Sequence, residues 1–179
     1  MFDATRYEIR QKIGIGTKYN VYEGDADEPI LTAKKKKLKL KEDFRFSTPD
    51  GEEMFRVKAD SVLDVAAAYD VVDARTDERV GSVRREIASF LKHEYALLDA
   101  EGTVVAVLRE DNHLMAALRR LVTTLIPFSY DIVTPDGTVV GTVGEQFSFR
   151  DKYTIELTGD VDPRLAVIGT VVVDAIEGN

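Results

Sequence analysis

Residues 44–57 read FRFSTPDGEEMFRV, and this stretch decides the fold. An Asp50-Gly51 pair sits at its middle, and glycine accepts the positive φ that a tight hairpin needs. A hairpin centred on that pair sets Phe44 opposite Val57 and Phe46 opposite Phe55, which gathers apolar side chains on one face. The other face then carries Arg45 opposite Arg56 and Asp43 opposite Lys58.

Working outward, three more segments repeat the pattern: YDVVDARTDERVGSV (69–83), YALLDAEGTVVAVL (95–108) and YDIVTPDGTVVGTV (130–143). Glu101-Gly102 and Asp136-Gly137 supply turns of the same kind, while Thr76-Asp77 is a weaker version with one extra residue. Tyr95 then faces Leu108 and Tyr130 faces Val143, so three separate turns give the same aromatic–aliphatic cross-strand pair. Further strands are expected at Tyr7 to Ile13, Tyr19 to Glu23, Ile30 to Lys35 and Tyr153 to Thr158. About a dozen short strands with short connections predict a mainly β fold, an antiparallel sandwich or barrel whose closure would remove exposed edges.

Two segments break the period of two. From Asp111 to Leu125, with Asp111 or Asn112 as cap, Leu114, Leu118, Leu121, Val122 and Leu125 form one stripe that Pro127 ends, which predicts a surface helix. Asp162-Pro163 is a cap and first-turn pair, and Leu165 to Ile176 is apolar nearly all round, which predicts an enclosed helix. The β-branched Val171, Val172 and Val173 allow a strand there instead, although the cap and the length favour the helix. Asp174 is the one carboxylate deep in this segment, and a buried charge needs partners; Arg119, Arg120 or Arg164 are the arginines expected to supply them.

The chain has 179 residues, which predicts one domain spanning 1–179. Its 24 Lys and Arg against 32 Asp and Glu give a net charge of -8, which argues against nucleic acid as a partner of the whole molecule. Without cysteine there is no disulfide framework and no thiolate metal site, so a cytoplasmic setting is expected. The first residues are too charged for a signal peptide, and the longest apolar run, Leu165 to Val173, is far short of the ~20 residues a transmembrane span needs.

Residues 38–60, LKLKEDFRFSTPDGEEMFRVKAD, together with the repeated hairpins and the closing DPRLAVIGTVVVDAIE (162–177), resemble the LURP-one-related family. That family shares the tubby C-terminal-like fold with the phospholipid scramblases. The resemblance covers roughly Tyr7 to Glu177 and implies a closed antiparallel barrel of about twelve strands around a central apolar C-terminal helix. For function it implies less, because tubby proteins bind phosphoinositides, scramblases are tied to calcium-dependent lipid movement, and many family members have no assigned activity.

Six of the eleven lysines fall in AKKKKLKLKED, at Lys34, Lys35, Lys36, Lys37, Lys39 and Lys41. If 35–47 is one extended strand, Leu38, Leu40, Phe44 and Phe46 point inward while Lys35, Lys37, Lys39, Lys41 and Arg45 share the outer face. Arg45 against Arg56 is a like-charge pair, a mildly destabilising one that a bound anion would relieve. Lys35, Lys37, Lys39, Lys41, Arg45, Arg56 and Lys58 are therefore the candidate site for an anionic phospholipid or phosphoinositide headgroup at the inner membrane face. The competing reading is a solvated edge neutralised by Glu42, Asp43, Glu52 and Glu53, in a soluble protein-interaction or scaffold domain without lipid affinity. A scramblase-like lipid transporter is a third reading, which the lack of an acidic calcium motif and of a membrane span disfavours.

No enzyme, cofactor or metal is expected. Gly14 and Gly16 begin a dinucleotide fingerprint, but Tyr19 stands at the third glycine position and no βαβ context follows. Asp25, Asp27 and Glu28 fail the EF-hand template. His93 and His113 belong to no catalytic motif, and Asp50, Asp77, Glu101 and Asp136 serve turns.

Overall fold

The computed structural model describes residues 1–12, 18–37, 42–59, 68–85, 94–110, 129–146 and 152–177. Twelve strands form a closed antiparallel barrel in which each strand pairs with its neighbours in sequence and the first pairs with the last. They are β1 (Arg6–Lys12), β2 (Lys18–Glu23), β3 (Leu31–Lys37), β4 (Glu42–Ser47), β5 (Glu53–Ala59), β6 (Ala68–Asp73), β7 (Arg79–Arg85), β8 (Glu94–Leu98), β9 (Val104–Glu110), β10 (Ser129–Val133), β11 (Val139–Gln146) and β12 (Lys152–Leu157). Closure leaves no edge strand open to aggregation.

The hairpin registers follow the sequence pattern. Phe44 faces Val57, Phe46 faces Phe55, Tyr95 faces Leu108 and Tyr130 faces Val143. Phe44, Phe46 and Tyr95 are wholly buried. Each turn is one residue looser than a two-residue hairpin: the N–H groups of Thr48, Asp99 and Thr134 donate to the carbonyls of Glu52, Thr103 and Thr138. Gly51, Gly102 and Gly137, at φ 93, 86 and 90°, take the left-handed position of these turns, and a register shift follows in the flanking strands. In the β6–β7 hairpin, with its extra residue, Asp77 adopts φ 61° in glycine's place.

Pro163–Glu177 is the enclosed helix α1, which settles the choice between helix and strand over Val171 to Val173. Residues Leu165 to Val173 are all buried, and the helix packs against β1, β6, β7, β8 and β12. At Gly169 a Cβ would stand 2.9 Å from the Leu97 side chain, so the absence of one lets the helix approach β8. Asp162 caps the helix by accepting from the Arg164 N–H at 2.8 Å. The surface helix predicted over 111–125 lies outside the described residues. No helix among the described residues is long and apolar enough to cross a membrane.

One expectation is corrected. Residues 35–47 are not one strand: β3 ends at Lys37, β4 begins at Glu42, and the two pair as a hairpin. Lys35 is registered with Phe44 and Lys37 with Glu42, whereas Lys34 and Lys36 are registered with Arg45 and Asp43. The assumed alternation had carried one phase through a reversal of the chain, and a change of phase moves every position to the other face.

Candidate functional site

The outer wall over β1 to β5 carries the cations. Register places Lys12 opposite Lys18, Lys18 opposite Lys34, Lys34 opposite Arg45, and Arg45 opposite Arg56. Five cationic residues thus stand in one row across five strands, at ~5 Å from strand to strand. The sequence reading included Arg45 and Arg56 in the site but left out Lys34 and missed Lys12 and Lys18. Centring the β1–β2 hairpin on Ile15, as the β4–β5 hairpin was centred on its Asp-Gly pair, would have paired those two lysines.

The row has two halves. Arg45 donates from Nε at 2.8 Å and Nη2 at 2.9 Å to the Asp43 carboxylate, and from Nη1 at 2.9 and 3.0 Å to both Glu53 oxygens. The hydrogen bond it donates to Asp43 chiefly holds the Arg45 guanidinium more firmly protonated than usual. Arg56 lies 3.4 Å from Glu53 and donates to Asp77 at 2.7 Å. The like-charge pair expected from the sequence is therefore present, but the protein's own carboxylates already stand around both guanidinium groups, so this pair no longer argues for an outside anion.

Lys12 and Lys34 are exposed and Lys18 is half-buried, and none has an ion pair among the described residues. Lys58, exposed, faces Asp43 on one side and Asp70 on the other. The backbone of Lys35 and Lys37 is in β3, and Lys39 and Lys41, with Leu38 and Leu40, lie outside the described residues. Beside the row, Glu8 binds Arg10 and reaches Lys152 at 2.6 Å. Burial would raise the Glu8 carboxyl, but these two cations outweigh it and hold the group below the usual carboxylate range.

Inside the barrel, Asp174 accepts hydrogen bonds from the hydroxyls of Tyr19, at 2.5 Å, and Tyr153. The expected arginine partner is replaced by tyrosines for a geometric reason. Arg164 sits ten residues earlier, ~15 Å along the helix, and binds Asp162 instead, while Arg119 and Arg120 lie outside the described residues. One turn further on, Glu177 accepts from Tyr95, whose hydroxyl is pushed far above its usual range by burial and then by that carboxylate.

Among the described residues no group of three or more His, Asp or Glu is placed to hold a metal ion. Asp25 lies 3.4 Å from Arg6. His93, His113, Gly14 and Gly16 lie outside the described residues.

A family model described as LURP-one-related matches residues 29–174. No curated protein matches the chain.

Proposed function

This chain belongs to the LURP-one-related family, and on that premise we propose that it is a non-enzymatic binding module that holds anionic phospholipid or phosphoinositide headgroups on the basic wall over β1 to β5. The observation that carries the reading is the same-sign row from Lys12 to Arg56 in a chain of net charge -8. Lysine and arginine hold phosphate by charge-assisted hydrogen bonds, and a polybasic surface gains about 1 kcal/mol per residue near an anionic leaflet. Lys35 and Lys37, out of phase with Lys34 in β3, and Lys39 and Lys41, which follow in the chain, would add only long-range attraction to an anionic surface, with Lys58 nearby and Arg45 and Arg56 held by their own carboxylates. The module is non-catalytic on this reading, because neither histidine belongs to a catalytic motif and the acidic side chains placed above serve turns, ion pairs, the helix cap and tyrosine hydrogen bonds.

The test is co-sedimentation with phosphatidylserine vesicles at two ionic strengths. Binding falls as salt screens the headgroups, and a Lys35, Lys37, Lys39, Lys41→Glu variant loses it; equal binding by variant and wild type removes those lysines from the site. The second reading, a protein-interaction domain without lipid affinity, is favoured by the internal neutralisation of Arg45 and Arg56, and predicts no vesicle binding at either ionic strength.

A further inference from the structure

Elsewhere on the described wall, facing charges are opposite in sign or answered by a carboxylate: the one other like-charge pair, Arg10 opposite Lys152, has Glu8 bound to both. Lys58 lies between Asp43 and Asp70, and Arg109 between Glu94 and Asp131, with Arg109 3.4 Å from the Glu94 carboxylate. Arg6 faces Glu156 at 3.9 Å. Opposite charges stabilise directly facing positions and like charges destabilise them, so this alternation is what a wall with no ligand is expected to show.

The cationic row breaks the rule, and its two halves break it differently. Around Arg45 and Arg56 the protein places Asp43, Glu53 and Asp77, so three carboxylates answer two guanidinium groups. Around Lys12, Lys18 and Lys34 it places none among the described residues, although Lys18 has a lysine on each side. A repulsion that is answered two strands away and left standing here has the form of a site whose anions come from outside.

We infer that Lys12, Lys18 and Lys34 form a discrete binding site for a ligand carrying two or more clustered phosphate groups, with Lys18 as its centre. The inference rests on the anion-binding reading of the wall but moves the contact to residues of β1, β2 and the first half of β3, and it names the ligand class. Three ammonium groups based on positions ~5 Å apart and ~10 Å end to end suit a polyphosphate cluster better than one isolated phosphate, which could be shared by two of them at most. Lysine, a compact point charge on a flexible stem, imposes no fixed fork on the ligand, so the site selects for charge density over shape. The clustered phosphates could be those of a soluble polyphosphate or of a lipid headgroup.

The experiment is calorimetric titration of the full chain with inorganic tripolyphosphate and, separately, orthophosphate, followed by flotation with phosphatidylcholine vesicles with and without phosphatidylinositol bisphosphate. Tripolyphosphate binds one to one and more tightly than orthophosphate. Lys18→Ala weakens it about tenfold, the loss of one charge-assisted contact, and Lys18→Arg largely restores it. Arg109→Ala, which removes a cation from a sign-alternating row, leaves it unchanged. If tripolyphosphate displaces the chain from bisphosphate vesicles, the membrane headgroup is the source of the phosphates. If tripolyphosphate binds and no vesicle does, the site stands with a soluble ligand and only the lipid reading fails. Absence of tripolyphosphate binding, or binding that Lys18→Ala does not weaken, overturns the inference; vesicle binding that depends on Lys35, Lys37, Lys39 and Lys41 would then still support the broader reading.

Discussion

The two ends of the central helix are held by different means. At the first, Asp162 satisfies the Arg164 N–H two residues on and also binds its guanidinium, and the surrounding hairpin tips close by backbone hydrogen bonds within five or six residues. At the last turn there is no basic residue, and two carboxylates, Asp174 and Glu177, lie where the negative end of the helix dipole disfavours them. They are held by hydroxyls from Tyr19, Tyr153 and Tyr95, which are 155, 21 and 82 positions away in the chain, with Arg85 at 4.0 Å from Glu177. One end is a local motif that could form in a short peptide, whereas the other exists only once the barrel has closed.

That difference predicts an order of effects. Asp174→Ala leaves the buried Tyr19 and Tyr153 hydroxyls without this shared acceptor and is expected to cost about 3 kcal/mol. Asp162→Ala removes a cap and costs about 1 kcal/mol. Urea denaturation of both variants measures the gap, and equal losses would show that the two ends are equivalent after all. Tyr95→Phe removes one hydrogen bond to Glu177 and costs about 1 kcal/mol.

Alkaline pH acts on both ends through tyrosine. Tyr7, beside Phe2 at the first end, is pushed up to about 12, mainly by burial and then by Glu23, and Tyr95 at the last end is pushed higher still by burial and then by Glu177. Below the ordinary tyrosine value of about 10 both states keep these protons. Above it the unfolded chain loses them first, so stability falls as pH rises and the Tyr7 contribution is gone beyond about 12. Both Tyr7→Phe and Tyr95→Phe should therefore lose stability less steeply than wild type in thermal unfolding between about pH 9 and about 12, where the folded tyrosines keep protons that the unfolded chain gives up; a decline as steep as wild type's in Tyr95→Phe would break the comparison.

The smallest effect is expected on the outer wall. Lys18→Ala relieves two like-charge contacts and should stabilise the free protein by about 0.5 kcal/mol at low salt, with the gain vanishing at high salt. A destabilised Lys18→Ala variant would mean that the lysine packs structurally on the wall.

Much of this was legible in the chain itself. The pairs Phe44–Val57, Tyr95–Leu108 and Tyr130–Val143, the glycines at positive φ and the capped apolar helix all appear as the sequence pattern implies, because each depends on residues within one hairpin or one helical turn. The phase of the lysine strand was misread because the sequence between β3 and β4, which pair antiparallel, carries no Asp-Gly or other glycine signal. The Asp174 partners were misread because tyrosines on β2 and β12 give no sign in sequence that their hydroxyls meet one carboxylate.

By itself, then, the sequence determined the hairpins, their inward faces, the turns and the terminal helix, since backbone geometry and side-chain alternation act over a few residues. Only the tertiary structure decided that the Lys12–Lys18 pair runs on through Lys34 to Arg45 in one row, that Arg45 and Arg56 are answered from within, and that Asp174 meets two tyrosines. Those juxtapositions depend on the register between separate hairpins and on closure of β1 against β12, which no local pattern specifies.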